Sequence, residues 1–181
     1  DKATIEATIA ELQGEGAAPE TGAEYRNAPG GYSLRYPEGL LYVEDDTMVT
    51  FAPSQAALEL ALEEAVAQGP VAMFDASPVE EVAEDLDLAE GAAPEEFLEA
   101  MVENIGAEMG ELDTGKLGGY AGGLAEISGT IEETAYAGGL AIVIVEDRVV
   151  GAYGMAPPDL WPEFRPTFEG MFFSLSFFEP E

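Results

Sequence analysis

Adjacent glutamates are the commonest reactive pattern in this sequence, at Glu63-Glu64, Glu80-Glu81, Glu95-Glu96 and Glu132-Glu133. Two carboxylates flanking a substrate bond are the machinery of glycoside hydrolysis, one serving as acid and the other as base or nucleophile. With 37 acidic residues in a chain of 181, however, close pairs arise by chance. The pairs therefore read as a solvated surface, and no catalytic residue is assigned. Calcium is a better chemical match for so many carboxylate oxygens. Asp85, Asp87 and Glu96 stand at positions 1, 3 and 12 of a calcium loop, but Ala89 fills position 5 and Glu90 replaces the glycine needed at position 6. That loop is broken, and Asp45-Asp46 reads as a hairpin turn. The acids leave diffuse attraction of divalent cations and no defined metal or cofactor site.

Other chemistries are thinner still. The chain has no Cys and no His, which removes thiol nucleophiles, disulfides, His-based triads and most zinc or haem sites. A Ser/Lys mechanism would need Lys2, in the N-terminal tail, or Lys116, in a Gly-rich loop. Tyr120-Ala-Gly-Gly-Leu-Ala125 recurs as Tyr136-Ala-Gly-Gly-Leu-Ala141. As a phosphate cradle this pattern fails, because no Lys-Ser/Thr follows and the flanks read as strands. It reads instead as two neighbouring strands with bulges or close backbone approach at their glycines. Trp161, Phe164, Phe168, Phe172, Phe173, Phe177 and Phe178 could line a ligand groove, but aromatics at helical spacing followed by a strand read as core.

Six basic residues against 37 acidic ones give a net charge of -31. That field repels nucleic acid and anionic membrane surfaces, so neither is an expected partner. At 47% hydrophobic the chain has material for a core, which excludes global disorder. The longest apolar run, Gly138 to Val145, is far short of the ~20 residues that span a bilayer. The chain begins with Asp1 rather than Met, which points to removal of a leader and an extracellular or cell-surface location.

The elements that would position any site divide the chain into three parts. In residues 1–13, Ala3, Ile5, Ala7 and Ile9 alternate with Lys2, Thr4, Glu6 and Thr8, the period of an amphipathic strand. A helix competes, since Ile5, Ile9 and Leu12 also fall at i, i+4 and i+7. Residues 14–30 are rich in Gly, Ala, Pro and Glu and read as a flexible linker. Residues 31–181 read as the folded domain. Strands are predicted at Tyr32–Tyr36, Leu40–Glu44, Met48–Ala52, Val71–Ala76, Gly118–Thr130, Glu133–Val145, Arg148–Met155 and Ser174–Phe178. Helices are predicted over Gln55–Gln68, from Pro94 to a stop at Gly110, and over Asp159–Phe173. Pro78–Leu88 is a helical turn or a polar loop. The order is that of an α+β domain with a mainly antiparallel sheet.

GYSLRYPEGL, APEEFLEAM, GGYAGGLAEI and above all VVGAYGMAPPDLWPEFRPTFEGMFFSLSFF, in this order, resemble the PsbP-like superfamily over residues 30–178. The resemblance implies an α-β-α sandwich around an antiparallel sheet, in a scaffold that docks on macromolecules and has no shared catalytic residues. Its bacterial relatives are exported proteins. The sequence departs from them in having no lipid-bearing Cys before the linker and in its extreme charge.

An amphipathic strand outside the domain orders only by packing on something, either its own sheet or a neighbour's. The expectation is a non-enzymatic extracellular protein that assembles with itself. Ala3, Ile5, Ala7 and Ile9 would enter the neighbour's apolar groove, and a head-to-tail exchange would give a filament. The alternative is a monomeric module docking on another surface protein or a cation-rich matrix. A carboxylate-based hydrolase ranks last.

Overall fold

The computed structural model describes residues 22–62 and 69–181. Among them are ten strands and four helices. In chain order they are β1 Ala23–Asn27, β2 Tyr32–Tyr36, β3 Leu41–Asp45, β4 Met48–Ala52, α1 Gln55–Leu62, β5 Val71–Pro78, α2 Val79–Asp85, α3 Pro94–Ile105, β6 Glu108–Leu117, β7 Tyr120–Ile131, β8 Thr134–Val145, β9 Arg148–Ala156, α4 Trp161–Phe173 and β10 Ser176–Phe177. Seven strands form one sheet in the order β3-β4-β5-β9-β8-β7-β6, and β1-β2-β10 form a smaller one. Every pairing is antiparallel.

Two-residue turns set the register of the large sheet. Val145 pairs with Arg148 around Glu146-Asp147, and Ile131 pairs with Thr134 around Glu132-Glu133. Glu132 and Glu133 both have positive φ, 49° and 70°, as a hairpin turn matched to strand twist requires. One of the candidate acid pairs is thus a turn.

The central strands are apolar on both faces, because both faces are covered. On one face lie α4 and the small sheet, over Phe51, Phe74, Ala141, Val143, Val150 and Ala152. On the other lie α1, α2 and α3, over Val71, Ile127, Leu140, Ile142, Val149 and Met155. The layers are those of an α-β-α sandwich in which a small sheet shares one outer layer with a helix.

The repeated glycines explain how closely those layers approach. Gly139 and Gly154 are cross-strand partners, and the Phe168 ring of α4 lies over both. A Cβ on Gly139 would stand 2.7 Å from that ring, and one on Gly154 2.6 Å. Gly138 is closed on the backbone itself, since its Cβ would lie 2.1 Å from the Gly154 carbonyl oxygen. Close approach, as read from the sequence, is what these glycines permit.

Several boundaries differ from the sequence reading. The domain begins before Gly31, because β1 lies inside the segment read as linker and pairs with β2 over its whole length. Its single buried apolar side chain, Tyr25, was too little signal to mark a strand. The helix from Pro94 ends at Ile105, where Gly106 turns left-handed at φ 68°, and not at Gly110. The residues after it form β6, which was not anticipated. EMGELDTGKL has poor strand propensity, but β7 supplies a full partner and a bulge between Met109 and Leu112 absorbs the misfit. Pro78–Leu88 is resolved as the helix α2 after Pro78. Of the helix predicted over Gln55–Gln68, Gln55–Leu62 is helical and the remainder lies outside the described residues, as do residues 1–13.

Phe168 is fully buried against Phe74 and Trp161, at 6.4 and 5.8 Å between ring centroids. Phe168→Ala is expected to lower the unfolding free energy by about 3–5 kcal/mol in urea titration. A loss below about 1 kcal/mol would show that the ring does not fill the glycine slot in this way.

Candidate functional site

The order of the large sheet leaves β3 and β6 as its edges. Edge strands expose unpaired backbone donors and acceptors, and proteins blunt them with charge, bulges or covering elements. β6 has all three devices: Glu108, Glu111 and Asp113, the bulge after Met109, and α3 packed beside it. β3 is different. Its Leu41, Tyr42 and Val43 are 43%, 44% and 36% exposed, and all five of its residues are exposed.

That edge is held rigidly from behind. Tyr42 packs on Tyr25, Phe51 and Tyr36 at 5.2, 5.6 and 5.9 Å. The Tyr25 hydroxyl donates to Glu44 Oε2 at 2.8 Å, and Asn27 Nδ2 donates to the Tyr25 hydroxyl and to the Asp46 carbonyl. β1 thereby clamps the β3–β4 hairpin from the small sheet. Burial pushes the Tyr25 phenol up to about 12, the Asn27 hydrogen bond opposes the rise, and Glu44 adds to it.

A second feature lies on the helical face. Among the described residues the sheet is not fully roofed between α1 and α3, and an apolar groove of 450 Å³ runs over β5, β8 and β9. Ala61, Met101 and Ile105 form its walls, with Met73, Leu140 and Met155 on its floor. Tyr136 and Tyr153 stand in it with interacting hydroxyls. Burial raises both phenols above the ordinary tyrosine value, and each hydroxyl modulates the other.

The residues singled out in the sequence are dispersed. Ala3, Ile5, Ala7 and Ile9 lie outside the described residues, as do Lys2 and Glu63-Glu64. Glu80-Glu81 open α2, and Glu96 accepts the Ala93 N–H at 2.7 Å as a helix cap. Asp87 sits in a turn at φ 55°. Among the described residues no three acidic side chains converge as a metal site would require. Lys116 belongs to β6 opposite Ala121 and not to a loop. Trp161, Phe164, Phe168 and Phe172 are core; Phe173 and Phe177 pack at its margin. Three of the cations are structural. Arg165 pairs with Glu126 and Glu169, Arg26 lies over the Phe178 ring, and buried Arg148 donates to the Phe178 and Gly31 carbonyls. The sequence reading missed the β3 edge and the groove. Leu41-Tyr42-Val43 was visible as a strand, but only sheet order shows it to be at an edge.

No family model matches the sequence, and no curated protein matches it. Solved structures do. Cyanobacterial PsbP (CyanoP) from Synechocystis is similar over 90% of this chain and 98% of its own, with a TM-score of 0.57 and 12% identity. LpqN of Mycobacterium tuberculosis, involved in cell envelope biogenesis, is similar over 88% of this chain and 87% of its own, with a TM-score of 0.53 and 11% identity. A crystal structure from Bacteroides thetaiotaomicron has a TM-score of 0.51 at 14% identity over 87% of this chain, which spans 49% of that one. The chain has a PsbP-like α+β fold, and at these identities the likeness concerns the fold alone. Among the described residues no helix is long and apolar enough to cross a membrane.

The raised phenols give a signed pH dependence. A tyrosine whose folded pKa exceeds its unfolded one contributes stability that is complete below the unfolded value and lost as pH rises through the folded one. With Tyr25, Tyr136 and Tyr153 all raised, the urea midpoint should hold steady from about pH 8 to 9 and fall progressively above about pH 10. A midpoint unchanged to about pH 11.5 would contradict the burial of these hydroxyls.

Proposed function

We propose that this chain is a non-enzymatic extracytoplasmic protein that assembles with copies of itself, residues 1–13 of one copy adding as a strand to the β3 edge of the next. The carrying observation is the contrast between edges: β6 carries acids along its length and a bulge, whereas β3 keeps its acids at Glu44 and Asp45 and offers Leu41, Tyr42 and Val43 on an unbulged ladder with no second partner strand among the described residues. Strand addition gains affinity from main-chain hydrogen bonds and selectivity from alternate side chains. Ala3, Ile5, Ala7 and Ile9 form the apolar face that suits Leu41 and Val43, while Thr4, Glu6 and Thr8 face outward. Each copy then has one donor and one acceptor, so the contact does not close and a filament grows.

Residues 14–22 separate the donor from β1, and nine extended residues reach about 30 Å, enough to bridge to a neighbour. Ala23 pairs with Tyr36, near the start of β3, so folding back on the same chain is the competing outcome. The involvement of LpqN in cell envelope biogenesis supports an extracytoplasmic setting. The same edge would serve a monomeric module if the incoming strand belonged to another surface protein.

The charge of -31 on each copy makes salt, divalent cations or low pH a requirement for assembly. The test is light scattering of the full chain in about 0.5 M salt, where screening is short-ranged, beside a deletion of residues 1–13 and a Leu41→Lys/Val43→Lys double variant. The full chain should polymerise, and both variants should stay monomeric with unchanged circular dichroism. A full chain that is monomeric at every ionic strength, or polymers that survive the deletion, would overturn the proposal.

A further inference from the structure

The large sheet contains a mid-strand glycine that packing does not explain. Gly151 lies mid-strand in β9, and a Cβ built on it meets no atom within 4 Å. Gly138, Gly139 and Gly154 are forced by contacts of 2.1 to 2.7 Å, but nothing crowds Gly151. A glycine inside a strand is destabilising relative to alanine, so the space above it is maintained at some expense in stability.

Directly across the ladder from Gly151 is Asp75. Thr47 Oγ1 donates to Asp75 Oδ1 at 2.8 Å and Ser77 Oγ donates to Oδ2 at 3.1 Å. Those two bonds fix the carboxylate and leave about two of its roughly four acceptor positions free. Among the described residues its oxygens have no Arg or Lys within ion-pair distance. Asp75 and Gly151 both line a cavity of 240 Å³ that adjoins the groove between α1 and α3, and the two share Met73, Met101, Leu140 and Tyr153. A half-buried carboxylate thus stands at one end of a long apolar trough, with an empty position opposite it.

We propose that this trough binds a small organic cation with an apolar body, its ammonium or guanidinium on Asp75 above Gly151 and its hydrocarbon or aromatic part along Met73, Met101 and Leu140. The chemistry follows from the lining. A cation on a fixed carboxylate in an apolar surrounding makes a charge-assisted bond stronger than a neutral one. Methionine side chains adapt to irregular apolar shapes. The field of a chain at -31 draws cations and repels anionic amphiphiles of the same size. The Tyr136 hydroxyl, beyond the Asp75 cavity, and the Tyr153 hydroxyl that interacts with it can hydrogen-bond a polar substituent on the apolar body. The site is independent of residues 1–13, so it stands or falls separately from strand exchange.

Phenylbutylamine, phenylbutanol and phenylbutyrate serve as cationic, neutral and anionic probes of one shape, titrated calorimetrically against the full chain at physiological salt. The amine should bind saturably at one site, the alcohol about tenfold or more weakly, and the acid not measurably. Asp75→Asn should reduce amine affinity by about tenfold or more. Gly151→Leu, which places a side chain in the open space above the strand, should abolish binding while leaving the circular dichroism unchanged. Glu59→Gln, removing one exposed charge elsewhere, should change nothing. Equal binding of alcohol and amine, unsaturable binding, or full amine affinity in the Gly151→Leu protein would overturn the assignment. If Asp75→Asn fails to fold, the Gly151→Leu result decides alone.

Discussion

The seating of Phe168 on the Gly139–Gly154 pair is the contact from which the other layers take their places. Two glycines opposite each other in β8 and β9 make a slot in the middle of the sheet, and the ring of α4 closes it. With α4 fixed there, Trp161, Phe164 and Phe172 fall along the same face, and the small sheet covers what remains with Tyr25, Tyr32 and Leu34. The first face is then complete. α1, α2 and α3 share the second face, and among the described residues they leave a strip over β5, β8 and β9 uncovered, whose character Gly151 and Asp75 make particular.

Much of this was legible in the sequence. The doubled YAGGLA pattern announced neighbouring strands with close approaches, and the spacing of Trp161, Phe164, Phe168 and Phe172 announced a buried helix face. The α+β class followed from the order of elements. β1 and β6 were not legible, because each owes its existence to a partner strand: β1 buries only Tyr25 and Asn27, and β6 is largely exposed. Neither the open edge nor the trough is a local property. Leu41-Tyr42-Val43 reads the same in a central strand as in an edge strand, and Asp75 faces Gly151 only through the β5–β9 register, which joins residues far apart in the chain.

The acidity changes meaning once placed on the fold. Glu132-Glu133 and Glu146-Asp147 are hairpin turns, Glu96 caps a helix, and Glu108, Glu111 and Asp113 guard an edge. These are uses of charge that keep the domain soluble and its sheet from pairing at the wrong side. β3 is the place where that guard is missing over three residues, and Asp75 is a carboxylate held inward among apolar neighbours. A field of this sign repels nucleic acid and anionic surfaces, and the two proposed partners, an apolar strand and an organic cation, are both compatible with it.

The proposed exchange is tested most directly by amide hydrogen exchange in trans. Isotope-labelled protein lacking residues 1–13 serves as acceptor, and unlabelled full chain in assembly salt serves as donor. Strand addition predicts that the outward amides of Leu41 to Asp45 become slower to exchange when the full chain is added, while those of β6 do not change. Equal exchange at β3 with and without the full chain would contradict the account.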